Sequence, residues 1–184
     1  MALPDYVEIT QGTAIVFGES GASGVTHTLA FNGLGNTLAL MSASADLGAD
    51  YADEYMVYFR VETGTAPTAG TTCELYLASS HESSNFPGFV TGSAGTWPPT
   101  TGGITTTGSV DQAARQLGAP VSVLVATPDG TKLMTQAPVI WRPRGRYVAC
   151  VVDNNLGQAI RSETTATDNE SRVILVPRRI EVNE

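Results

Sequence analysis

The stretch EYMVYFRVET, residues 54–63, decides the fold because its apolar and polar residues alternate with a period of two. Four residues on one side are apolar: Tyr55, Val57, Phe59 and Val61. The other side carries Met56, Tyr58, Arg60 and Glu62. Successive side chains of a strand point to opposite faces of a sheet, so this alternation predicts a strand with one buried face.

Similar short runs recur on both sides of this strand, bounded by Gly, Pro, Asn or Asp. They cover residues 14–17, 28–31, 37–40, 71–78, 116–126, 136–141, 145–152, 158–161 and 172–177. Residues 111–117 are the one plausible helical turn. About eight to ten strands without strand–helix alternation predict an all-β, antiparallel β-sandwich, and a jelly roll is the favoured form.

The chain of 184 residues predicts one domain with an arm at each end. We assign residues 1–13 to an N-terminal arm, 14–176 to the sandwich and 177–184 to a C-terminal tail. Residues 79–115 form a long loop rich in Ser, Thr, Gly and Pro, and its aromatic residues predict that it packs on the body or on a neighbour. Both ends are apolar, which predicts that they bind the domain or a neighbouring subunit.

Charge is scarce and unevenly placed. Asp, Glu, Lys and Arg make up 15% of the chain, with Lys132 the one lysine, and this favours a protein that works inside an assembly. The net charge is −8: residues 1–100 carry ten acidic residues and one arginine, whereas residues 101–184 carry nine basic and eight acidic residues. Nucleic acid is therefore not expected as the main partner, and the two halves can attract each other between subunits.

The two cysteines, Cys73 and Cys150, lie in apolar runs and are predicted to be buried free thiols, although a disulfide stays open. The N-terminus does not resemble a secretory signal, and no apolar run approaches the length that crosses a membrane. We therefore expect neither a membrane partner nor export.

Catalytic groups are sparse, so we do not expect an enzyme, a cofactor or a metal. His81 lies among serines in SSHESS, but triad members converge from distant segments, and His27 fits a strand position. The acidic sets around Asp53 and Glu170 resemble solvated turns; weak cation binding by the first set stays an alternative.

Three arginines at alternate positions, Arg142, Arg144 and Arg146, form the most distinctive basic segment. We call them the arginine comb. Their spacing suits paired carboxylates, and with Trp141 and Tyr147 beside them it also suits phosphate or single-stranded DNA. The acidic net charge favours pairing with the acidic half of the chain. With the arms and the long loop, the comb completes the predicted set of partner contacts: Tyr6, Val7, Ile9, Phe86, Phe89, Trp97, Trp141, Arg142, Arg144, Arg146, Arg178, Arg179 and Ile180.

Two segments, RYVACVVDNNLGQAI (residues 146–160) and SRVILVPRRIEV (171–182), resemble the capsid decoration, or cement, proteins of tailed bacteriophages. VETGTAPTAGTTCELYLA (61–78) and NFPGFVTGS (85–93) are similar too. The resemblance implies a jelly-roll-like fold, a homotrimer, and binding to the major capsid protein on the outside of a virion made in the host cytoplasm. The alternative is a carbohydrate- or receptor-binding module of a phage tail or fibre, in which Trp97 or Trp141 stacks on a sugar.

Overall fold

The computed structural model describes residues 6–49, 51–98, 110–162 and 170–183. These residues form thirteen strands and one helix. The strands are β1 (Tyr6–Gln11), β2 (Ile15–Gly18), β3 (His27–Thr28), β4 (Leu38–Met41), β5 (Ala45–Asp46), β6 (Glu54–Glu62), β7 (Thr72–Ser80), β8 (Gly95–Trp97), β9 (Ser122–Val125), β10 (Leu133–Thr135), β11 (Val139–Trp141), β12 (Tyr147–Asn155) and β13 (Arg172–Asn183). The helix α1 spans Val110–Leu117, which confirms the predicted helical turn.

The strands form two sheets, which we name after their central strands. In the β13 sheet the order is β10, β6, β13, β2, β3. In this sheet β10 and β11 both pair with β6, one after the other along the same edge. The strand β1 pairs with the C-terminal end of β13. In the β12 sheet the order is β8, β4, β12, β7, β9, with β5 beyond β4 along β12. The pairings are antiparallel except that of β2 with β3. The two sheets pack face to face, which confirms the predicted all-β sandwich.

The core between the sheets follows the alternation in β6. Tyr55, Val57, Phe59 and Val61 point inward and are each at most 2% exposed. They meet Leu75 and Cys150 of the opposite sheet, which are fully buried. Burying one such large apolar side chain contributes about 1.5–3 kcal/mol, so this strand anchors the sandwich.

A second core lies on the outer face of the β12 sheet, under the chain that links β7 to β9. Phe86, Val90 and Trp97 pack there against Tyr76 and Val151. The indole nitrogen of Trp97 donates to the carbonyl oxygen of Gly88 at 2.7 Å. The predicted long loop therefore contains β8 and α1 and packs on the body of its own domain; residues 99–109 lie outside the described part.

Several predicted strands are shorter in the structure. Of residues 116–126 only Ser122–Val125 form a strand, and residues 116–117 end α1; of residues 136–141 only Val139–Trp141 form one. Residues 28–31 contribute only the end of β3, and residues 158–161 contribute one isolated bridge, between Thr63 and Ile160. The buried Asn154 explains why residues 158–161 form a single bridge. Its side-chain nitrogen lies 3.0–3.1 Å from three carbonyl oxygens of neighbouring loops, and its oxygen accepts from the Leu156 amide at 3.2 Å. The Asn154 side chain thus forms hydrogen bonds with backbone groups that would otherwise pair with a neighbouring strand.

Cys73 and Cys150 are buried free thiols, as predicted. In the register of β7 and β12, Cys73 faces Asn154 while Cys150 faces Leu77, so the two cysteines lie at different levels of the sheet. Burial raises the pKa of both thiols, which keeps them protonated at neutral pH.

Candidate interaction surface

The outer face of the β13 sheet carries apolar residues that the described part of the chain leaves accessible, and we call it the open face. The outward side chains of β6 continue across β13 and the edge strands: Met56 stands beside Val176 and Ile140, and Tyr58 stands beside Ile174. Tyr58 and Ile140 remain 37% and 48% exposed. Adjacent exposed apolar residues of this kind mark interaction sites more often than single ones do.

Arginine–glutamate pairs surround the apolar part of the open face. The carboxylate of Glu54 is nearly buried between two guanidinium groups, with Arg178 at 3.2 Å and Arg142 at 3.4 Å. Arg161 pairs with Glu62 at 2.7 Å. These pairs hold the long side chains beside the sheet, and the buried carboxylate of Glu54 needs its partners to remain charged.

A groove of about 310 Å³ crosses the open face between β10 and β13. Arg60 and Arg172 face each other directly across β6 and β13, an arrangement that is destabilising without a counter-charge. Glu170 provides one, because its carboxylate lies 2.6 Å from the Arg60 guanidinium. Tyr58 and Gln136 complete the polar walls of the groove.

The open face is positive compared with the rest of the chain. Five arginines (Arg60, Arg142, Arg161, Arg172 and Arg178) and three glutamates (Glu54, Glu62 and Glu170) lie on or beside it. Among the described residues of the face, arginines therefore outnumber glutamates by two, on a chain whose net charge is −8. An acidic partner is attracted to such a face more strongly than a basic one.

The two predicted arms pair with each other. β1 and residues 178–183 of β13 form an antiparallel two-stranded extension of the sheet, which we call the terminal ribbon. β6 pairs with β13 as far as Arg178, and the ladder with β1 continues from there to Asn183. Tyr6, Val7 and Ile180 take part through their backbones; their side chains lie outside the described part. Ile9 is half exposed in the ribbon.

A bulge joins the ribbon to the body. Residues 12–14 of one strand face only residues 176–177 of β13, so the strand containing β1 and β2 has one extra residue. The Gly12 amide donates to the Pro177 carbonyl oxygen at 3.1 Å, and a Cβ at position 12 would lie 2.9 Å from the Pro177 ring. The close approach of proline explains glycine at this position.

Two arginines of the comb pair with carboxylates from the acidic half of the chain, as the pairing interpretation predicts. Arg142 contacts Glu54, and Arg146 makes two hydrogen bonds of 2.7 Å to Asp46. The bidentate contact holds the pKa of the Asp46 carboxyl at about 2, below its usual value of 3.8. Arg144 keeps its side chain exposed, while its backbone amide donates to the Ser79 hydroxyl at 3.1 Å.

The aromatic residues predicted as contacts are divided between core and surface. Phe86 and Trp97, 7% and 1% exposed, belong to the second core and stabilise the protomer itself. Phe89 is 39% exposed. Trp141 packs beside the central core, with its ring 6.0 Å from that of Tyr55. Burial leaves Trp97 little surface for stacking on a sugar.

Tyr58, Ile140 and Ile174 are the contact candidates that the sequence-based set omits. The sequence does contain a signal for Tyr58. Met56 and Tyr58 lie on the side of the strand that should face water, where polar residues are expected. Apolar residues on both sides of a strand indicate that something covers the outer side. For Ile140 and Ile174 the sheet register was needed.

The described residues contain no group of three or more His, Cys, Asp or Glu placed to hold a metal ion. Within the same residues, no helix has the length and apolar character of a membrane span. His81 lies exposed after β7, and His27 packs beside Phe17 with ring centroids 5.3 Å apart.

The chain matches no protein-family model, no curated protein and no solved structure. Its function therefore has to be inferred from the geometry of its own residues.

Proposed function

We propose that this chain is a structural virion protein that binds the outside of a phage capsid and stabilises the lattice by bridging major capsid protein subunits. The observation that carries the proposal is the open face: apolar, accessible and flanked by arginines on an otherwise acidic protein. The resemblance to capsid decoration proteins agrees with it.

The open face suits a partner surface that is apolar at its centre and acidic around it. Burying Tyr58, Ile140 and their neighbours removes apolar area from water, which favours association by about 25 cal/mol per Å² before the costs of association. The arginines then select the partner and its orientation, since charge complementarity contributes more to specificity than to affinity. We assign this face to the major capsid protein.

A bound copy stabilises the shell by mass action. Because each copy contacts neighbouring lattice subunits together, it favours the assembled lattice over separated subunits in proportion to its free concentration. Such a mechanism needs a rigid domain and an accessible face rather than a catalytic centre.

We propose a homotrimer with the terminal ribbon as the subunit contact. The supporting observation is that the ribbon continues β13 beyond the part that pairs with β6, so both chain ends extend the sheet to a place where a neighbouring subunit can contact them. The proposed fold is a jelly roll. Its support is the strand order: the β1/β2, β13, β6 and β10/β11 positions lie side by side in one sheet, and β4/β5, β12, β7 and β9 in the other.

A pair of matched variants tests the role of the open face. Tyr58→Asp places a carboxylate on the open face, whereas Val125→Asp places one at a position 55% exposed on the opposite sheet. The assay is co-sedimentation with expanded capsids of the phage that encodes the chain, after their decoration protein has been removed. We expect Tyr58→Asp to weaken the affinity for these capsids at least tenfold. Val125→Asp should bind like the unmodified chain. Equal loss in both variants, or no binding by the unmodified chain, would contradict the proposal.

The trimer is tested separately by light scattering. A mass near three times 19.2 kDa is expected for the full chain, and deletion of residues 1–11, which removes β1, should reduce it to that of a monomer. A monomeric full chain would overturn the trimer but not the assignment of the open face.

A further inference from the structure

A cavity of about 460 Å³ opens at the end of the sandwich where the terminal ribbon meets the body. It lies between the bulge after β1, the short strands β3 and β5, and the beginning of β6. Its volume is within the range of about 300–1,000 Å³ that small-molecule sites occupy. None of the contacts assigned to capsid binding lies at its centre.

The walls of the cavity are held by contacts that do not need a ligand. The bulge is fixed by the Gly12–Pro177 contact described above. Asp46 on the opposite wall is clamped by Arg146 and accepts from the Gly48 amide at 2.8 Å. Tyr55, 2% exposed, forms an aromatic wall. A site built in advance loses little entropy when a ligand binds.

His27 lines this cavity with a neutral ring, because burial lowers its pKa. The Thr26 hydroxyl lies 3.0 Å from Nδ1 of His27 and 3.1 Å from the Val16 carbonyl oxygen, so it can pair with either tautomer of the ring. The other ring nitrogen, Nε2, accepts in one tautomer and donates in the other. A ligand hydroxyl, which both donates and accepts, matches Nε2 in both.

The chemistry of the lining favours a ligand rich in hydroxyl groups. Two charged residues line the cavity: Asp46, whose charge is balanced by Arg146, and Arg179, which has an interaction partner of its own. Hydroxyl and amide groups from Thr10, Gln11 and Thr13 supply both donors and acceptors. Each sugar hydroxyl is itself both a donor and an acceptor, whereas a phosphate or carboxylate only accepts.

Apolar surface is present next to these polar groups. Ile15, Leu47, Pro177 and the ring of Tyr55 form part of the lining. A saccharide ring presents C–H groups on its faces and hydroxyls at its edge, and both kinds of surface find partners in the cavity. We infer that the cavity binds a neutral polyhydroxylated ligand, of the chemical class of a saccharide unit.

Saturation-transfer NMR on the full chain tests this with glucose, galactose, N-acetylglucosamine and lactose as probes. We expect at least one of them to receive saturation and to shift the Hε1 resonance of His27. The chain has only two histidines, so the exposed His81 provides an internal control whose resonance should not move.

Two variants localise the binding. His27→Phe keeps a ring beside Phe17 but removes Nε2, and we expect it to weaken binding about tenfold, the usual effect of losing one hydrogen bond in a site. Thr13→Trp narrows the cavity from its exposed rim and should block binding even if His27→Phe fails to fold. His81→Phe is the matched control and should bind normally.

The inference is overturned if none of the four sugars receives saturation, or if His27→Phe and Thr13→Trp both bind as the unmodified chain does. An equal shift of His27 with sodium phosphate would show an anion site instead. Thr13 is not among the residues of the open face, so capsid binding by Thr13→Trp should be retained, and failure here leaves the proposed function untouched.

Discussion

The central strands of the two sheets differ in how many faces they bury. In β12 every residue from Val148 to Asn154 is buried, since the inner core covers one face and the segment with Trp97 covers the other. In β6 burial alternates, and Tyr58 is 37% exposed on the outer side. The chain itself covers the outer face of the β12 sheet, whereas the outer face of the β13 sheet is partly exposed.

Both strands carry apolar residues on both sides, although only β12 is covered on both. The outward residues of β12 are matched by Phe86, Val90 and Trp97 of the same chain. The outward residues of β6 and β13 have no such set in the described part, and we attribute them to a partner. The predictions below test whether the covered sheet is a core and the open face an interface.

Thiol reactivity should give the largest contrast. Cys73 and Cys150 lie in the covered sheet and are fully buried, so they can react only after the sheet opens. A cysteine introduced by Tyr58→Cys lies on the open face. We expect Ellman's reagent to modify it at least about a thousandfold faster than either native thiol. Fast labelling of the native thiols would show that the covered sheet is not closed.

Removing an aromatic anchor should distinguish the two faces next. Trp97→Ala empties a site that is 1% exposed and deletes a buried hydrogen bond, so it should lower the free energy of unfolding by about 3–5 kcal/mol. Ile140→Ala, at a position 48% exposed, should change it by about 0.5 kcal/mol or less. Urea unfolding measures both; similar losses would mean that the open face is packed within the protomer.

The two faces also differ in how well their residues could be predicted. The alternation in residues 54–63 predicts β6 and its inner core correctly, because a period of two is visible within the strand's own sequence. The role of Trp97 was not predictable, since its burial depends on a chain of contacts from Gly88 to Tyr76 that spans separate elements. Likewise, the cavity around His27 requires the Gly12–Pro177 contact, which joins the two ends of the chain.

Removing a partner of Glu54, at the edge of the open face, should lower the free energy of unfolding by an intermediate amount. The carboxylate of Glu54 is 8% exposed, and Arg178 at 21% is its more buried partner, whereas Arg142 is 75% exposed. Arg178→Ala should therefore cost about 1–3 kcal/mol of unfolding free energy by leaving a buried carboxylate with one weak partner. Arg142→Ala should cost at most about 1 kcal/mol. The reverse order in urea unfolding would show that burial does not decide the strength of these pairs.

The smallest effect, with a defined sign, concerns Asp46 at the edge of the covered sheet. Its folded pKa of about 2 lies below the usual value of 3.8 because the carboxylate accepts two hydrogen bonds from Arg146. A carboxyl whose pKa is lowered on folding binds fewer protons folded than unfolded around pH 3, so it stabilises the protein above the unfolded pKa and loses that contribution as the pH falls toward 2. The melting temperature of the unmodified chain should therefore exceed that of Asp46→Asn near pH 6, and the gap should close between about pH 4 and pH 2.

Added salt and the variant Arg146→Gln distinguish the Asp46–Arg146 ion pair from other effects of low pH on stability. Both side chains are nearly half exposed, so about 1 M sodium chloride should shrink the gap at pH 6 as well. Arg146→Gln should remove the dependence on Asp46, because the shift in pKa comes chiefly from that guanidinium. A gap that persists at pH 2, or that survives in the Arg146→Gln background, would show that the ion pair with Arg146 is not the source of the stabilisation.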